Sequence, residues 1–359
     1  MKSVFLQSGE SFPGSAFGAE GDAFGEVVFT TGMSGYLETL TDPSYYGQIV
    51  TFTAPLIGNY GVFDEKAFCQ TVDEVYESQK IWVRGVILTE HSLCPSHELA
   101  AKRFEKWLAD QGVPGISGVD TRHLTTVLRE HGTIMGGIAK SEQGIEKYFE
   151  DPLKGRFVPE VSPTELEILE PQNFSGKTIA FLDCGAKNGI FRNFLSRGIR
   201  VLRFPFDANP FTSGQKFDGL FIANGPGDPE TCHETIATTK EALEKDIPVF
   251  GICLGNQILA LAAGAKTRKM KYGHRGFNQP VQEVGKKENC LITSQNHGYE
   301  VDPTSLPSDY EVWFKNLNDG SVEGIRHKTK PIFSVQFHPE ACGGPEEASY
   351  LFDAFIEQL

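Results

Sequence analysis

Cys253 is the residue whose type and surroundings most directly suggest covalent chemistry. Residues 251–255 read GICLG, a G-x-C-x-G pattern between a predicted strand and a predicted helix. A sharp turn of this kind projects a nucleophile above the edge of a sheet, and flanking glycines let neighbouring backbone approach closely. The start of the following helix favours the reactive thiolate, and the Leu254 N–H would be one oxyanion donor. The alternative is a buried cysteine in an ordinary turn.

His338 and Glu340 form a second group with acid–base character. They follow a strand-like run, and Pro339 between them disfavours a helix and keeps the segment extended. Side chains two positions apart in an extended chain point to the same side, so the carboxylate can orient the imidazole. With Cys253 in the same half of the chain, this pattern favours a Cys–His–Glu triad. The competing interpretation is a surface turn at the end of a strand.

A glycine–proline loop, NGPGDP at residues 224–229, follows another predicted strand. Gly225 and Gly227 can expose backbone N–H groups, and one of them would be an oxyanion donor opposite Leu254. Because no lysine follows the loop, it is a poor phosphate-binding loop. A plain turn is the alternative interpretation.

Alternating strands and helices must position these residues in the C-terminal half. This alternation predicts an α/β domain with a mostly parallel sheet that helices cover on both faces. Sites in such sheets lie at the carboxyl ends of the strands. The predicted strands are 177–183, 199–204, 217–223, 247–252, 310–314 and 332–337, and the predicted helices include 233–245 and 254–263.

The N-terminal half reads as a mixed β and α domain over residues 1–150. Short β-branched and aromatic runs between glycines and prolines predict strands joined by turns. Two helices are predicted, one capped by Ser96 and the other by Asp120. Prolines and acidic residues predict a connector over 151–175, which leaves 176–359 as the C-terminal domain.

The composition limits what the chain can bind. With 33 Lys plus Arg against 47 Asp plus Glu, the net charge of −14 argues against nucleic acid. The longest apolar stretch, 258–263, is far shorter than the roughly 18 residues of a membrane helix, and the N-terminus does not read as a signal peptide. Seven cysteines without a CxxC pair favour a reducing, cytoplasmic location. His91, Cys94 and His97 have ligand-like types, but we expect no metal there.

Three motifs, NGPGDP, GICLGNQ and FHPE, occur in this order, and the C-terminal half thereby resembles class I, triad-type glutamine amidotransferases. Further stretches extend a resemblance over nearly the whole chain. They are similar to the small, glutaminase subunits of carbamoyl phosphate synthases, and read GEVVFTTGMSGYLETLTDPSYYGQIV, GNYG, GVDTRHLTTVLREHG, KYGHRGFNQPV and SQNHGYEVD.

The resemblance implies hydrolysis of L-glutamine to glutamate and ammonia. A large partner subunit would use that ammonia with bicarbonate and ATP to make carbamoyl phosphate, for arginine and pyrimidine biosynthesis. Cys253 is then the nucleophile, His338 the general base and acid, and Glu340 its orienting partner. The resemblance also implies glutamine-binding residues, namely Ser44, Gly225, Gly227, Leu254, Gln257, Asn296, Gly298 and Tyr299. It implies no cofactor on this chain, with ATP and its metal ion on the large subunit.

Some positions depart from the pattern of that family. Asn256 stands where GICLGHQ has histidine, and Tyr299 replaces a phenylalanine. We expect Asn256 to alter helix packing behind Cys253, and His297 to have a structural role. Two other functions stay open: a regulatory or scaffold subunit with weak glutaminase activity, and a stand-alone cysteine hydrolase of γ-glutamyl substrates.

Overall fold

The computed structural model describes residues 2–64, 75–143, 147, 156–286 and 288–359, so Cys69 lies outside the described residues. The chain divides into two compact units. The first comprises Met1–Gly155 with Lys271–Gly276, and the second comprises Arg156–Met270 with Phe277–Leu359. The boundaries at 150 and 175 stay predictions, and so does the role in docking the large subunit that the family resemblance implies for residues 1–150.

Seven strands of the first unit close into a barrel. They are β1 (Lys2–Leu6), β2 (Ser11–Gly18), β3 (Ala23–Thr30), β4 (Gln48–Phe52), β7 (Gly85–Ile87), β10 (Pro114–Ser117) and β11 (Ile134–Ala139). Their order around the barrel is β1-β11-β3-β4-β7-β10-β2. Two short pairs lie outside it, β5 (Leu56–Ile57) with β8 (Glu90–His91) and β6 (Val62–Phe63) with β9 (Ala100–Lys102). The sequence pattern predicted strands here but not their closure, because strand order depends on pairing between distant segments.

The helices of the first unit are α1 (Tyr36–Thr41), α2 (Phe104–Asp110) and α3 (Thr121–His131). The cap of α3 is confirmed, since the Asp120 carboxylate accepts a hydrogen bond from the His123 N–H. The start of α2 was predicted wrongly at Ser96. Residues 100–102 instead form β9 and pair with β6, so their backbone groups are not free for a helix. Phe104, Trp107 and Leu108 form the buried face of α2.

Ten strands of the second unit form one sheet. From one edge of the sheet to the other they are β12 (Glu167–Leu169), β14 (Arg200–Pro205), β13 (Thr178–Asp183), β15 (Gly219–Ile222), β16 (Val249–Ile252), β21 (Ile332–Val335), β20 (Val322–His327), β19 (Tyr310–Asn316), β17 (Thr267–Glu283) and β18 (Cys290–Val301). Strands β14 to β21 in this order are parallel. The α/β class is therefore confirmed. The pairs β21–β20, β20–β19 and β19–β17 add an antiparallel extension that the sequence did not predict.

Helices cover both faces of the parallel strands, as alternate residues show. The helices of the unit are α4 (Val158–Val161), α5 (Asn188–Ser196), α6 (His233–Glu244), α7 (Leu254–Ala262) and α8 (Tyr350–Ile356). Leu182 and Leu220 share one apolar cluster with Ile258 of α7. Their neighbours Phe181 and Phe221 instead contact Phe191 and Phe194 of α5. Each strand therefore contributes to two cores.

Part of the predicted connector belongs structurally to the second unit. Val158 of α4 lies in its main apolar cluster, and β12 pairs antiparallel with β14 at the edge of its sheet. Among the described residues, no helix has the length and apolar character needed to cross a bilayer.

Candidate active site

The chemical groups of the candidate site lie just beyond the carboxyl ends of four parallel strands. Lys187 follows β13, the loop 224–229 follows β15, Cys253 follows β16, and His338 follows β21. The pairings β13–β15, β15–β16 and β16–β21 are all parallel, so these strands end at the same edge of the sheet. This edge is where open α/β sheets hold their sites.

Cys253 occupies a sharp turn between β16 and α7. Its backbone has φ 56 and ψ −104, in a region that non-glycine residues rarely adopt. The Cys253 N–H donates to the Val335 carbonyl oxygen at 2.9 Å, which ties the turn to β21. The thiol is 2 % exposed. These features match the predicted nucleophile elbow.

The two glycines of GICLG allow the close backbone contacts of this turn. A Cβ on Gly255 would lie 2.2 Å from the Ile222 carbonyl oxygen, and one on Gly251 would lie 2.6 Å from the Gly255 carbonyl oxygen. Both obstacles are backbone atoms, which cannot move aside as a flexible side chain would. Glycine is therefore required by contact at both positions.

Gly255→Ala should destabilise the second unit and lower the glutamine hydrolysis that the family resemblance implies, because β15 must move away from α7. Overpacking of this kind typically costs about 1–3 kcal/mol. Thermal unfolding of the purified protein and steady-state hydrolysis would measure the two effects. An unchanged unfolding midpoint with full activity would show that the turn tolerates a Cβ, contrary to this prediction.

His338 and Glu340 interact as their spacing predicted. The His338 Nδ1–H donates to Glu340 Oε1 at 2.6 Å, and both residues are buried. The His338 backbone N–H donates to the Ser294 carbonyl oxygen at 2.9 Å, so β18 holds this segment. Among the described residues, His338 Nε2 has no hydrogen-bond partner of the protein. That nitrogen is the one left for a reacting group.

Lys187 is a site residue that the sequence analysis missed. Its Nζ donates to Glu340 Oε1 at 3.0 Å and to the Ala341 carbonyl oxygen at 3.1 Å, and the residue is buried. The Lys187 backbone N–H donates to the side chain of Asn224 at 3.2 Å. A lysine in the loop after a buried strand was the available signal. Its position beside Glu340 depends on the tertiary fold.

The buried His338–Glu340–Lys187 cluster has strongly shifted protonation. Burial raises the pKa of Glu340, but the Lys187 ammonium and the His338 imidazolium outweigh burial and hold that pKa well below its usual value. Burial lowers the pKa of His338 and Lys187 lowers it further. The Glu340 carboxylate and the nearby Cys253 oppose both effects and leave the His338 pKa raised. At neutral pH the pair is therefore carboxylate and imidazolium.

The loop 224–229 lies against the start of α7. A Cβ on Gly225 would lie 2.1 Å from the Cys184 carbonyl oxygen and 2.9 Å from Leu254 Cδ2. Gly227 has φ +90, a conformation that favours glycine. The loop therefore packs against the Leu254 side chain at the start of α7. The pair of oxyanion donors, the N–H of Leu254 and one from this loop, stays a prediction.

Strand β18 brings the remaining predicted residues of the second unit to the same edge. The Cys253 thiol donates to the Asn296 carbonyl oxygen at 3.5 Å. The Tyr299 hydroxyl donates to Asp228 at 3.3 Å, and the Gln257 Nε2–H donates to the Tyr299 carbonyl oxygen at 2.9 Å. Gly298 lies between Asn296 and Tyr299 in the same strand.

Comparison with known proteins follows the division into two units. Residues 180–358 match the family described as Glutamine amidotransferase class-I. Residues 4–138 match the CPSase domain of the carbamoyl-phosphate synthase small chain. The carbamoyl phosphate synthase arginine-specific small chain of Neosartorya fischeri is 46 % identical over 99 % of this chain and 79 % of its own length. The chain belongs to the small-chain family of carbamoyl phosphate synthase.

This membership confirms the family resemblance drawn from the motifs. Small-chain sequences also occur within longer proteins. The multifunctional protein CAD of Squalus acanthias is 47 % identical over 99 % of this chain, which spans 16 % of that protein. A solved glutamine amidotransferase from Thermotoga maritima is 21 % identical over 46 % of this chain and 76 % of its own, with a TM-score of 0.37.

Some predicted residues of this small chain lie elsewhere or have other contacts. Ser44 belongs to the first unit, in a 3-10 turn over Pro43–Tyr45, where its N–H donates to Asp42 at 2.9 Å. Its role as a glutamine ligand stays a prediction. His297 donates through Nδ1 to the Tyr299 carbonyl oxygen at 2.9 Å, a contact suited to the structural role expected of it. His91 stacks on Phe17 in the first unit.

The other described cysteines differ from Cys253. Burial raises the pKa of the Cys184 thiol, and it raises the pKa of the Cys232 thiol to about 12. Both are therefore poor nucleophiles at neutral pH. Cys94 and Cys290 are exposed, and Cys342 is half-buried. Cys253 alone among the described cysteines lies directly between a parallel strand, β16, and the helix that follows it, α7.

Proposed function

We propose that this small chain hydrolyses L-glutamine to glutamate and ammonia through Cys253, His338 and Glu340. The ammonia passes to a large synthetase subunit, which combines it with bicarbonate and ATP to make carbamoyl phosphate. The observation that carries the proposal is the buried His338–Glu340 pair, at the edge of the sheet where the strained Cys253 turn ends β16. Glutamine carries no net charge, which suits a chain with a net charge of −14.

The first half of the reaction forms a thioester. The Cys253 thiolate attacks the carbon of the side-chain amide, and the carbonyl electron pair moves to oxygen. The Leu254 and Gly227 N–H groups stabilise that oxyanion. His338, protonated at Nε2, gives its proton to the amide nitrogen as the carbon–nitrogen bond breaks, and ammonia leaves.

The second half releases glutamate. Neutral His338 removes a proton from a water molecule, which attacks the thioester carbon. The tetrahedral intermediate collapses, the carbon–sulfur bond breaks, and Cys253 leaves as the thiolate with His338 again protonated. Glu340 orients the imidazole through Nδ1 and stabilises its charged form throughout, and Lys187 holds the Glu340 carboxylate in place.

The other roles belong to the partner. The sequence contains no P-loop, and we assign the ATP and its metal ion to the large subunit, with no cofactor on this chain. Ammonia is a nucleophile only when unprotonated, so direct transfer between the subunits makes chemical sense. We propose that the complex works in the cytoplasm.

Glutamine hydrolysis by the purified small chain, with and without its co-purified large subunit, tests this function. We expect hydrolysis in both samples and a faster, coupled rate in the complex. A hydrolysis rate that is the same with and without the large subunit would indicate a stand-alone γ-glutamyl hydrolase. Negligible hydrolysis in both samples would leave the scaffold or regulatory function and would contradict the proposal.

A further inference from the structure

A chain of buried polar side chains lies behind Cys253. Asn256 and Gln257 are on the first turns of α7, Ser334 is on β21, and Gln336 follows that strand. Ser334, Asn256 and Gln336 are fully buried, and Gln257 is 3 % exposed. Buried groups of this kind need hydrogen-bond partners. Their side chains bond to one another, and among the described residues Gln336 Nε2 is buried without a partner.

One backbone carbonyl determines which group donates and which accepts in each hydrogen bond between these buried side chains. The Tyr299 carbonyl oxygen can only accept, so Gln257 must present its NH2 group there, at 2.9 Å. The same Gln257 Nε2 donates to Gln336 Oε1 at 3.1 Å. The Gln336 carboxamide is therefore turned with its oxygen toward α7.

The orientation of Asn256, the residue that replaces the histidine of the family pattern, is fixed in the same way. Gln336 Oε1 accepts a second hydrogen bond from Asn256 Nδ2, at 3.1 Å. Asn256 Oδ1 is then the acceptor for the Ser334 hydroxyl, at 2.9 Å. The asparagine thus fixes Gln336 from one side while Gln257 fixes it from the other. Asn256 does more than fill space behind Cys253.

This arrangement determines what Gln257 can offer to a ligand. An amide nitrogen has two hydrogens, and both hydrogens of Gln257 are used by Tyr299 and Gln336. We propose that Gln336 is a positioning residue, which with Asn256 holds the Gln257 carboxamide so that Oε1 is the group presented to a ligand. Gln257 is then an acceptor, and it binds an N–H group of the substrate.

The proposal rests on the proposed glutaminase function, and it deepens the part assigned to Gln257. L-Glutamine carries N–H donors in its α-ammonium and side-chain amide groups. An acceptor held in one orientation contributes more to binding than an amide that can turn, because no orientational freedom is lost when the ligand arrives. The network therefore acts on substrate affinity, whereas Cys253 and His338 act on the chemical step.

Gln336→Met tests the proposal, since methionine has a similar length and no oxygen acceptor. We expect the KM for glutamine to rise about tenfold while kcat stays within about threefold. The reason is that Asn256 and Gln257, two buried donors, lose the acceptor that they share. Gln336→Glu retains the acceptor and should restore most of the affinity. Gln215→Met, in an exposed loop, is the matched control and should behave as the unaltered protein.

A purely structural role for Gln336 would give a different pattern. Equal KM values in the unaltered protein and Gln336→Met would overturn the proposal. An equal rise in KM in Gln336→Met and Gln336→Glu would also overturn it. Should Gln336→Met fail to fold in a thermal unfolding assay, Asn256→Ala removes one of the two donors and should raise KM about threefold. An unchanged KM there would also overturn it. Turnover by the unaltered protein tests the glutaminase function separately.

Discussion

Cys253→Ser is expected to abolish glutamine-dependent synthesis of carbamoyl phosphate while sparing synthesis from added ammonia. Serine keeps the shape of the turn but replaces the thiolate by a hydroxyl that stays protonated at neutral pH, so the thioester cannot form. Loss of a nucleophile that acts in a triad lowers kcat by roughly 10⁴-fold or more. Both activities would be measured on the complex with its large subunit, with glutamine or an ammonium salt as nitrogen source.

Cys232→Ser is the matched control for this change. Cys232 is also buried, and it precedes α6 at the cap position, where serine is well tolerated. We expect this variant to keep glutamine-dependent synthesis within about twofold, as for substitutions away from a site. An equal loss of synthesis from glutamine and of synthesis from ammonia in Cys253→Ser would contradict the assignment of Cys253 as the nucleophile, because it would indicate damage to the complex.

Glu340→Gln is expected to reduce kcat/KM about 100-fold at neutral pH and to shift the alkaline limit of activity to lower pH. In the unaltered protein the Glu340 carboxylate holds the His338 pKa above its ordinary value, against burial and Lys187. When the carboxylate is removed, burial and the Lys187 ammonium remain, and both lower the His338 pKa. The imidazolium that must protonate the leaving nitrogen is then lost at lower pH, by about one to three pH units.

A pH profile of kcat/KM for both proteins checks the sign of this effect. The fall on the alkaline side should come earlier in Glu340→Gln than in the unaltered protein. Glu357→Gln, an exposed change at the end of α8, is the control and should leave the profile in place. Identical alkaline limits in Glu340→Gln and the unaltered protein would contradict the proposed role of Glu340.

Local sequence patterns predicted the parts of the site that depend on short-range geometry. Residues 251–255 carry the glycines that a tight strand-to-helix turn requires, whatever surrounds it, and the contacts of Gly251 and Gly255 bear this out. His338 and Glu340 meet because residues two apart in an extended segment point the same way. Strand–helix alternation likewise predicted the parallel strands and the edge where they end.

The other features of the site and of the fold depend on contacts between segments that are distant in the sequence. Lys187 reaches the carbonyl oxygen of Ala341 across 154 positions of chain, and nothing local to either residue predicts that approach. The direction of the Gln336 carboxamide depends on a carbonyl of β18 and an asparagine of α7. Barrel closure in the first unit and the antiparallel extension in the second also depend on which distant strands pair. The sequence thus specifies which residues can react, through turns and spacings a few residues long. Only the tertiary structure sets their charges and orientations, because buried ion pairs and hydrogen bonds form between segments that the fold alone brings together.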